Sequence, residues 1–193
     1  KHIIGLTYSQ SFFDGKMQNI FFAKDYVNHP NIRQTDQSTV TGSDKVQGST
    51  TKNYFGYGTG LRYMFFDPLA VKVSYEHSVR LPIARELLGN GTTIYANVAL
   101  KPEKSNNVNL ALFGTWHPAG RHTIYYEANG FLRYVDNYIQ TSVIEKEGMM
   151  QFVNDPAVHI KGVEGEIRYD WDGRLQLMAN VSYQDARDQQ KYK

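Results

Sequence analysis

The sequence predicts an all-β chain, in which about eight long antiparallel strands form a segment of a transmembrane β-barrel. Three observations carry that expectation. Apolar and polar residues alternate over stretches of roughly ten residues, the length of a membrane-crossing strand. Short tight turns alternate with long polar connections. Aromatic residues gather beside the short turns.

The composition bounds the answer from outside. Hydrophobic residues make up 41% of the 193 and mean hydropathy is −0.51. No stretch approaches the roughly 20 apolar residues of a membrane-spanning helix. Barrel strands hide their apolar half in alternation and read as hydrophilic, so this low hydropathy leaves a barrel open. Fourteen Tyr dominate an aromatic share of 13%, which suits strands and membrane interfaces. There is no cysteine, hence neither a disulfide framework nor a thiolate metal site. The formal charge of +2 gives no footprint for nucleic acid. No signal peptide is present, and both ends read as cut from something longer.

The central stretch sets the pattern. Phe55, Tyr57, Thr59, Leu61, Tyr63 and Phe65 alternate with Gly56, Gly58, Gly60 and Arg62. After Asp67-Pro68, the run Leu69, Val71, Val73, Tyr75, His77 and Val79 alternates with Ala70, Lys72, Ser74, Glu76, Ser78 and Arg80. One apolar and one wet face follow from this period of two. Before it, Ile4, Leu6, Tyr8 and Phe12 share a face, Asp14-Gly15 marks a turn, and Ile20, Phe22 and Tyr26 keep step on the return. A polar connection fills about 28–53, and a second runs over about 81–104, with a helical turn near Ile83 to Leu88.

Val108, Leu110, Leu112 and Trp116 begin the next strand pair, which turns at His117 to Gly120. Ile124, Tyr126, Ala128, Leu132 and Tyr134 return to about Ile144. Val163, Ile167, Tyr169 and Trp171 then alternate with Glu164, Glu166, Arg168 and Asp170. Asp172-Gly173 leads into Leu175, Leu177, Ala179, Val181 and Tyr183.

The short turns at Asp14, Asp67, Pro118 and Asp172 recur every 51 to 54 residues, one down-and-up passage each. Each follows an aromatic: Phe12, Phe65 with Phe66, Trp116 and Trp171. These five are the predicted interface aromatics of one barrel rim. Periodicity alone also describes a soluble β-sandwich, a ligand- or glycan-binding module in which the same apolar face packs on a second sheet. A small complete barrel is a third possibility.

Specific motifs add a resemblance. The chain reads Arg80-Leu81-Pro82, Glu86-Leu87-Leu88-Gly89, then Asn97 followed by Leu100-Lys101-Pro102-Glu103-Lys104-Ser105. Further on come Phe152-Val153-Asn154, Ile160-Lys161-Gly162-Val163-Glu164, and Asn180-Val181-Ser182-Tyr183 with Asp185-Ala186. In order and spacing these resemble the barrel of TonB-dependent outer-membrane receptors over about half the chain. The resemblance implies part of a larger, 22-stranded barrel in the bacterial outer membrane. It implies uptake of a scarce extracellular nutrient: a siderophore, haem, a cobalamin or an oligomeric nutrient. It also implies a TonB complex that engages parts not seen here. Residues 1–193 are expected to be barrel segment throughout, with neither a plug domain nor a TonB-contacting box, and with outer-membrane lipid as the immediate partner.

No Ser-His-Asp constellation or nucleophile elbow is present, so no enzyme and no cofactor are predicted. The glycines at 56, 58 and 60 fall within a strand with no helix after them, which excludes a phosphate loop and makes them small residues of the wet wall. The six histidines share no ligand spacing. His29 and His159 lie toward the long connections, where a metal complex or haem would arrive. Glu164 and Glu166 read as wet wall rather than as an acid–base pair. Ligand contact is expected from the second long connection and the wall beneath it, with Arg80, Arg85, Glu86, Tyr95 and Asn97 as candidates.

Overall fold

The computed structural model describes residues 2–28, 32–35, 45–48, 52–144 and 148–188. The strands are β1 (His2–Phe12), β2 (Met17–Asn28), β3 (Ile32–Thr35), β4 (Lys45–Gly48), β5 (Lys52–Phe66) and β6 (Leu69–Arg80). They continue with β7 (Ile94–Tyr95), β8 (Glu103–Ala119), β9 (His122–Ile144), β10 (Met149–Trp171) and β11 (Leu175–Asp188); one short helix, α1 (Ala84–Leu88), precedes β7.

Eight long strands form one antiparallel meander, β1-β2-β5-β6-β8-β9-β10-β11, and the sheet is not closed among the described residues. Within the predicted connection 28–53, β3 and β4 pair with each other. The rest of that connection, including His29, lies outside the described residues. In the second connection β7 runs parallel to β10.

Register assigns every side chain to a face, because the pairing partners of one strand project to the same side as its own residue. Leu61 pairs with Val73, Val73 with Leu110, Leu110 with Gly130, Gly130 with Val163, and Val163 with Tyr183. This is the apolar face. It is exposed: Leu61 is 39%, Val73 43% and Leu110 50% open to solvent. On the polar face, by contrast, Ala70, Ala111, Val135 and Phe131 are buried, the last only 5% exposed. A soluble sheet buries its apolar side, and a sandwich needs a second sheet over it. Among the described residues no such layer covers Leu61, Val73 and Leu110.

The apolar face is bounded at both ends. Phe12, Phe65, Phe66, Trp116 and Trp171 stand exposed at the short-turn end. There His122 stacks on Trp171 and meets the Tyr169 hydroxyl at 2.7 Å. Roughly ten residues up each strand from these aromatics, the length that crosses a bilayer, the same face turns polar at His2, Asn106, Lys161 and Asp185. Asn106 binds His77 Nδ1 and the Tyr75 hydroxyl, both at 2.9 Å, and Lys161 lies 3.8 Å from Asp185. Between the two limits the one described charged residue on this face is Asp25, opposite Ile4 and Phe55 and one alternation below His2.

The second strand departs from its sequence reading. Register sets Ile20, Phe22 and Lys24 opposite Gly60, Gly58 and Gly56, on the polar face, and leaves Phe21 on the apolar one. The adjacent phenylalanines made both assignments compatible with the pattern; cross-strand pairing decides between them. Phe22 lies over Gly58, where a Cβ would come within 2.6 Å of the Tyr75 carbonyl oxygen and collide with the edge of the Phe22 ring. The wall at Gly58 is therefore filled by an aromatic from the neighbouring strand. Phe131 covers its cross-strand partner Gly162 in the same way, against the Tyr183 carbonyl. The turn at His117 to Gly120 is tighter than predicted, since β8 pairs as far as Ala119 with His122 after a bulge beyond Trp116.

Two outcomes test this account. Arginine at Leu61, Val73 or Leu110 costs roughly 2–4 kcal/mol near a bilayer midplane and abolishes heat-modifiable protein in the outer-membrane fraction, whereas arginine at Ser74 or Asn109 is tolerated. Gly58→Val and Gly162→Val each drive a side chain into a ring and a backbone carbonyl, and lower stability by about 1–3 kcal/mol in denaturant titrations.

Candidate functional site

The segment between β6 and β8 stands at the long-connection end and is folded onto the wall. Its start is fixed by α1. Glu86, at the third helical position, accepts the Ile83 amide through its carboxylate at 2.9 Å, which satisfies a donor the helix itself leaves open. Gly89 ends the helix with φ +67, and a Cβ there would collide with the Ile94 carbonyl, so only glycine fits. Asn90 then gathers the amides of Thr92, Thr93 and Ile94 on one side-chain oxygen at 3.1, 2.9 and 2.8 Å. Leu81, Ile94 and Leu100 are buried beneath this segment, and Leu81 packs with Tyr26, Val79 and Tyr54.

Arg80 is the electrostatic centre. Its Nε and Nη2 donate to the two oxygens of Glu103 at 2.6 and 2.7 Å, and its Nη1 donates to Glu86 at 2.9 Å. One guanidinium thus holds two carboxylates from opposite ends of the segment, one of them bidentate. Glu86 is only 8% exposed, and a carboxylate so buried requires such a partner. Glu103 also accepts the Ile139 amide at 2.7 Å, which ties the arrangement to β9.

The far side is sewn to β10. Asn97 donates through Nδ2 to the Phe152 carbonyl at 2.8 Å and accepts the Ala99 amide through Oδ1 at 3.1 Å. Gln151 donates to the Ala96 carbonyl at 2.9 Å. Asn154 accepts the Lys101 amide at 2.8 Å and donates to the Lys101 and Asn137 carbonyls.

The five candidates therefore divide. Arg80, Glu86 and Asn97 hold the segment together. Arg85 and Tyr95 are exposed on it, and none of the ion pairs among the described residues includes Arg85. Gln151, Asn90, Asn154 and Glu103, which complete the network, were not among the candidates from sequence; Asn154 and Glu103 lay within the quoted motifs, and their match in spacing was the available signal.

Beneath the segment, the polar face forms a hollow of about 430 Å³ whose lining includes Glu76, Ser78, Asn107, Arg133 and Tyr138. Ser78 and Ser105 share a 2.8 Å hydrogen bond, Asn107 donates to both, and Lys24 reaches Glu76 at 3.1 Å. Arg133 lies 5.0 Å over the Phe131 ring. This is a surface of donors and acceptors without a nucleophile–base pair, and no described group of His, Asp and Glu is arranged to hold a metal ion. It can bind polar ligands.

The family model for the TonB dependent receptor-like β-barrel matches residues 12–193. No curated protein matches the chain in sequence. Among solved structures it is similar to the copper transporter OprC, with TM-score 0.72 and 15% identity over 98% of this chain and 30% of that one. It is also similar to a double mutant of the Serratia marcescens hemophore receptor HasR, solved with its hemophore HasA and heme. There the TM-score is 0.69 at 15% identity, over 95% of this chain and 34% of that one. The FrpB iron transporter from Neisseria meningitidis gives 0.62 and 13% over 95% and 25%. At these identities the likeness is one of fold, and the chain spans about a third or less of each.

Arg80→Ala strands the Glu86 and Glu103 carboxylates and loosens the segment by about 1–3 kcal/mol, a loss moderated because Arg80 is partly solvated. Limited proteolysis is expected to cut faster between residues 81 and 102, while the barrel keeps its heat-modifiable migration.

Proposed function

The chain belongs to the TonB-dependent receptor β-barrel family, and on that footing we propose that it is part of the wall of an outer-membrane receptor that imports a scarce nutrient. The observation that carries this reading is the exposed apolar face, bounded below by Trp116, Trp171 and the phenylalanines and above by Asn106, Lys161 and Asp185. A face of that height and chemistry matches the hydrocarbon layer, and the strands inside the sheet, from β2 to β10, pair on both sides across it.

In this reading the polar face lines the lumen and the segment 81–102 stands toward the outside of the cell. Arg85 and Tyr95, exposed on that segment, are the residues best disposed to meet an arriving ligand, with Arg80, Glu86 and Asn97 holding them in place. Energy for transport would come from a TonB complex acting on parts of the protein beyond these residues. The ligand class is a metal–siderophore complex, haem, a cobalamin or an oligomeric nutrient. The chain performs no covalent chemistry on it.

Expression of the full-length protein in a host stripped of its own receptors tests the proposal. Saturable uptake of one labelled ligand from a panel of these four classes is expected, and it is lost when the host lacks TonB. Uptake that persists without TonB, or none with any class in a strain shown to carry the protein in its outer membrane, would sink the reading.

A further inference from the structure

Most polar groups lining the hollow beneath the upper segment are engaged with one another. Arg80 is committed to Glu86 and Glu103, and Lys24 to Glu76. Ser78, Ser105 and Asn107 share hydrogen bonds, and Asn109 donates to Ser74. Two groups of the lining are left over. Among the described residues Arg133 makes no ion pair and no side-chain hydrogen bond. It is exposed and seated 5.0 Å over the Phe131 ring, a contact that leaves its guanidinium donors open. The Tyr138 hydroxyl, on the same lining, likewise has no hydrogen-bond partner among the described residues.

Register explains why the nearby acids do not reach Arg133. It pairs with Asn107, and Asn107 with Glu76, so two strand spacings, about 10 Å, lie between the opposite charges. Lys24 holds Glu76 from the β2 side at 3.1 Å. Glu103 already accepts two guanidinium bonds and the Ile139 amide. Among the described residues the hollow therefore has an unmet cation and an unmet hydroxyl donor, and no unmet acid.

We propose that this hollow receives a free carboxylate of the imported nutrient, with the Arg133 guanidinium as its bidentate donor and the Tyr138 hydroxyl as a further donor. The nutrient is then a hydrophilic metal chelate that keeps uncoordinated carboxylates. The rest of the lining decides against the other classes. Apart from Tyr138, only Val135 and Ile160 make it apolar, whereas haem or a corrin needs apolar walls along its ring. A neutral chelate would cover Arg133 without giving it an anion, which is unfavourable. The inference rests on the receptor reading, which makes this face the lumen and this end its outer mouth.

The full-length protein, purified from outer membranes in mild detergent, is titrated with one probe of each kind. These are the iron(III) complex of a citrate amide with free carboxylates, a neutral iron(III) trihydroxamate, haem and cobalamin. The carboxylate chelate is expected to bind most tightly. Arg133→Gln weakens it about tenfold or more, and Arg133→Lys restores part of the loss. Tyr138→Phe weakens it about threefold, and heat-modifiable migration is kept throughout. The methyl ester of the same chelate binds wild type and Arg133→Gln alike. Tightest binding of the trihydroxamate, haem or cobalamin overturns the proposal, as does a carboxylate chelate held equally by wild type and Arg133→Gln. Should Arg133→Gln fail to assemble, unchanged affinity in both Arg133→Lys and Tyr138→Phe overturns it instead. TonB-dependent uptake of none of the probes, in a strain shown to carry the protein in its outer membrane, is a separate result: it overturns the receptor reading itself, and this inference with it.

Discussion

Backbone pairing is the constraint on which everything else in this wall depends. In hydrocarbon an unpaired amide or carbonyl has no water to turn to, so each strand must give its hydrogen bonds to its neighbours along the whole crossing. The continuous ladders meet that demand for every strand between the two edges, β1 and β11. Once they are in place, side-chain direction is no longer free. A slip of one residue would exchange Leu61, Val73 and Leu110 for Arg62, Lys72 and Asn109. The glycines act at this level. Gly58 and Gly162 admit Phe22 and Phe131 against the backbone of the neighbouring strand, and each aromatic–glycine pair fits in only one register.

Above the apolar band the physics changes, because water is again available and side chains rather than ladders organise the chain. The segment from Leu81 to Pro102 has only a five-residue helix and a two-residue strand of its own. Its shape comes from Arg80, which joins the carboxylates of Glu86 and Glu103 from the two ends of the segment, and from Asn90, Asn97 and Asn154, each satisfying several backbone groups. Such a segment is stiff for as long as those few polar contacts hold. It therefore offers Arg85 and Tyr95 from a fixed platform, and loss of a single guanidinium is felt along its whole length.

How much of this was legible in the sequence follows from the same division. Strands with strict alternation, such as 69–80 and 163–171, declared both their existence and their faces. The second strand did not, since Phe21 and Phe22 satisfy either assignment and only pairing with the glycines of β5 resolves them. The lower aromatic rim was readable because tryptophan and phenylalanine beside a turn are distinctive. The upper boundary was not, because His77, Asn106 and Lys161 look like ordinary strand polar residues until register aligns them. Among the site residues, position along the chain indicated which segment mattered. It could not separate Arg80, Glu86 and Asn97, whose side chains hold the segment together, from Arg85 and Tyr95, which are exposed on it.

The distribution of the family motifs has the same physical origin. The chain shares its fold with OprC and HasR at 15% identity, which is possible because a lipid-facing wall demands alternation rather than particular residues: any apolar side chain serves at Leu110 or Val163. Side chains that close a specific polar network are not interchangeable in this way. The resembling motifs Arg80-Leu81-Pro82, Glu86-Leu87-Leu88-Gly89, Lys101-Pro102-Glu103 and Val153-Asn154 lie far apart in sequence, yet their polar members meet in one network around the upper segment. What they encode is the attachment of that segment to the wall. On the proposed reading, ligand identity would reside in residues that this network presents but does not use, and the motifs themselves identify the architecture alone.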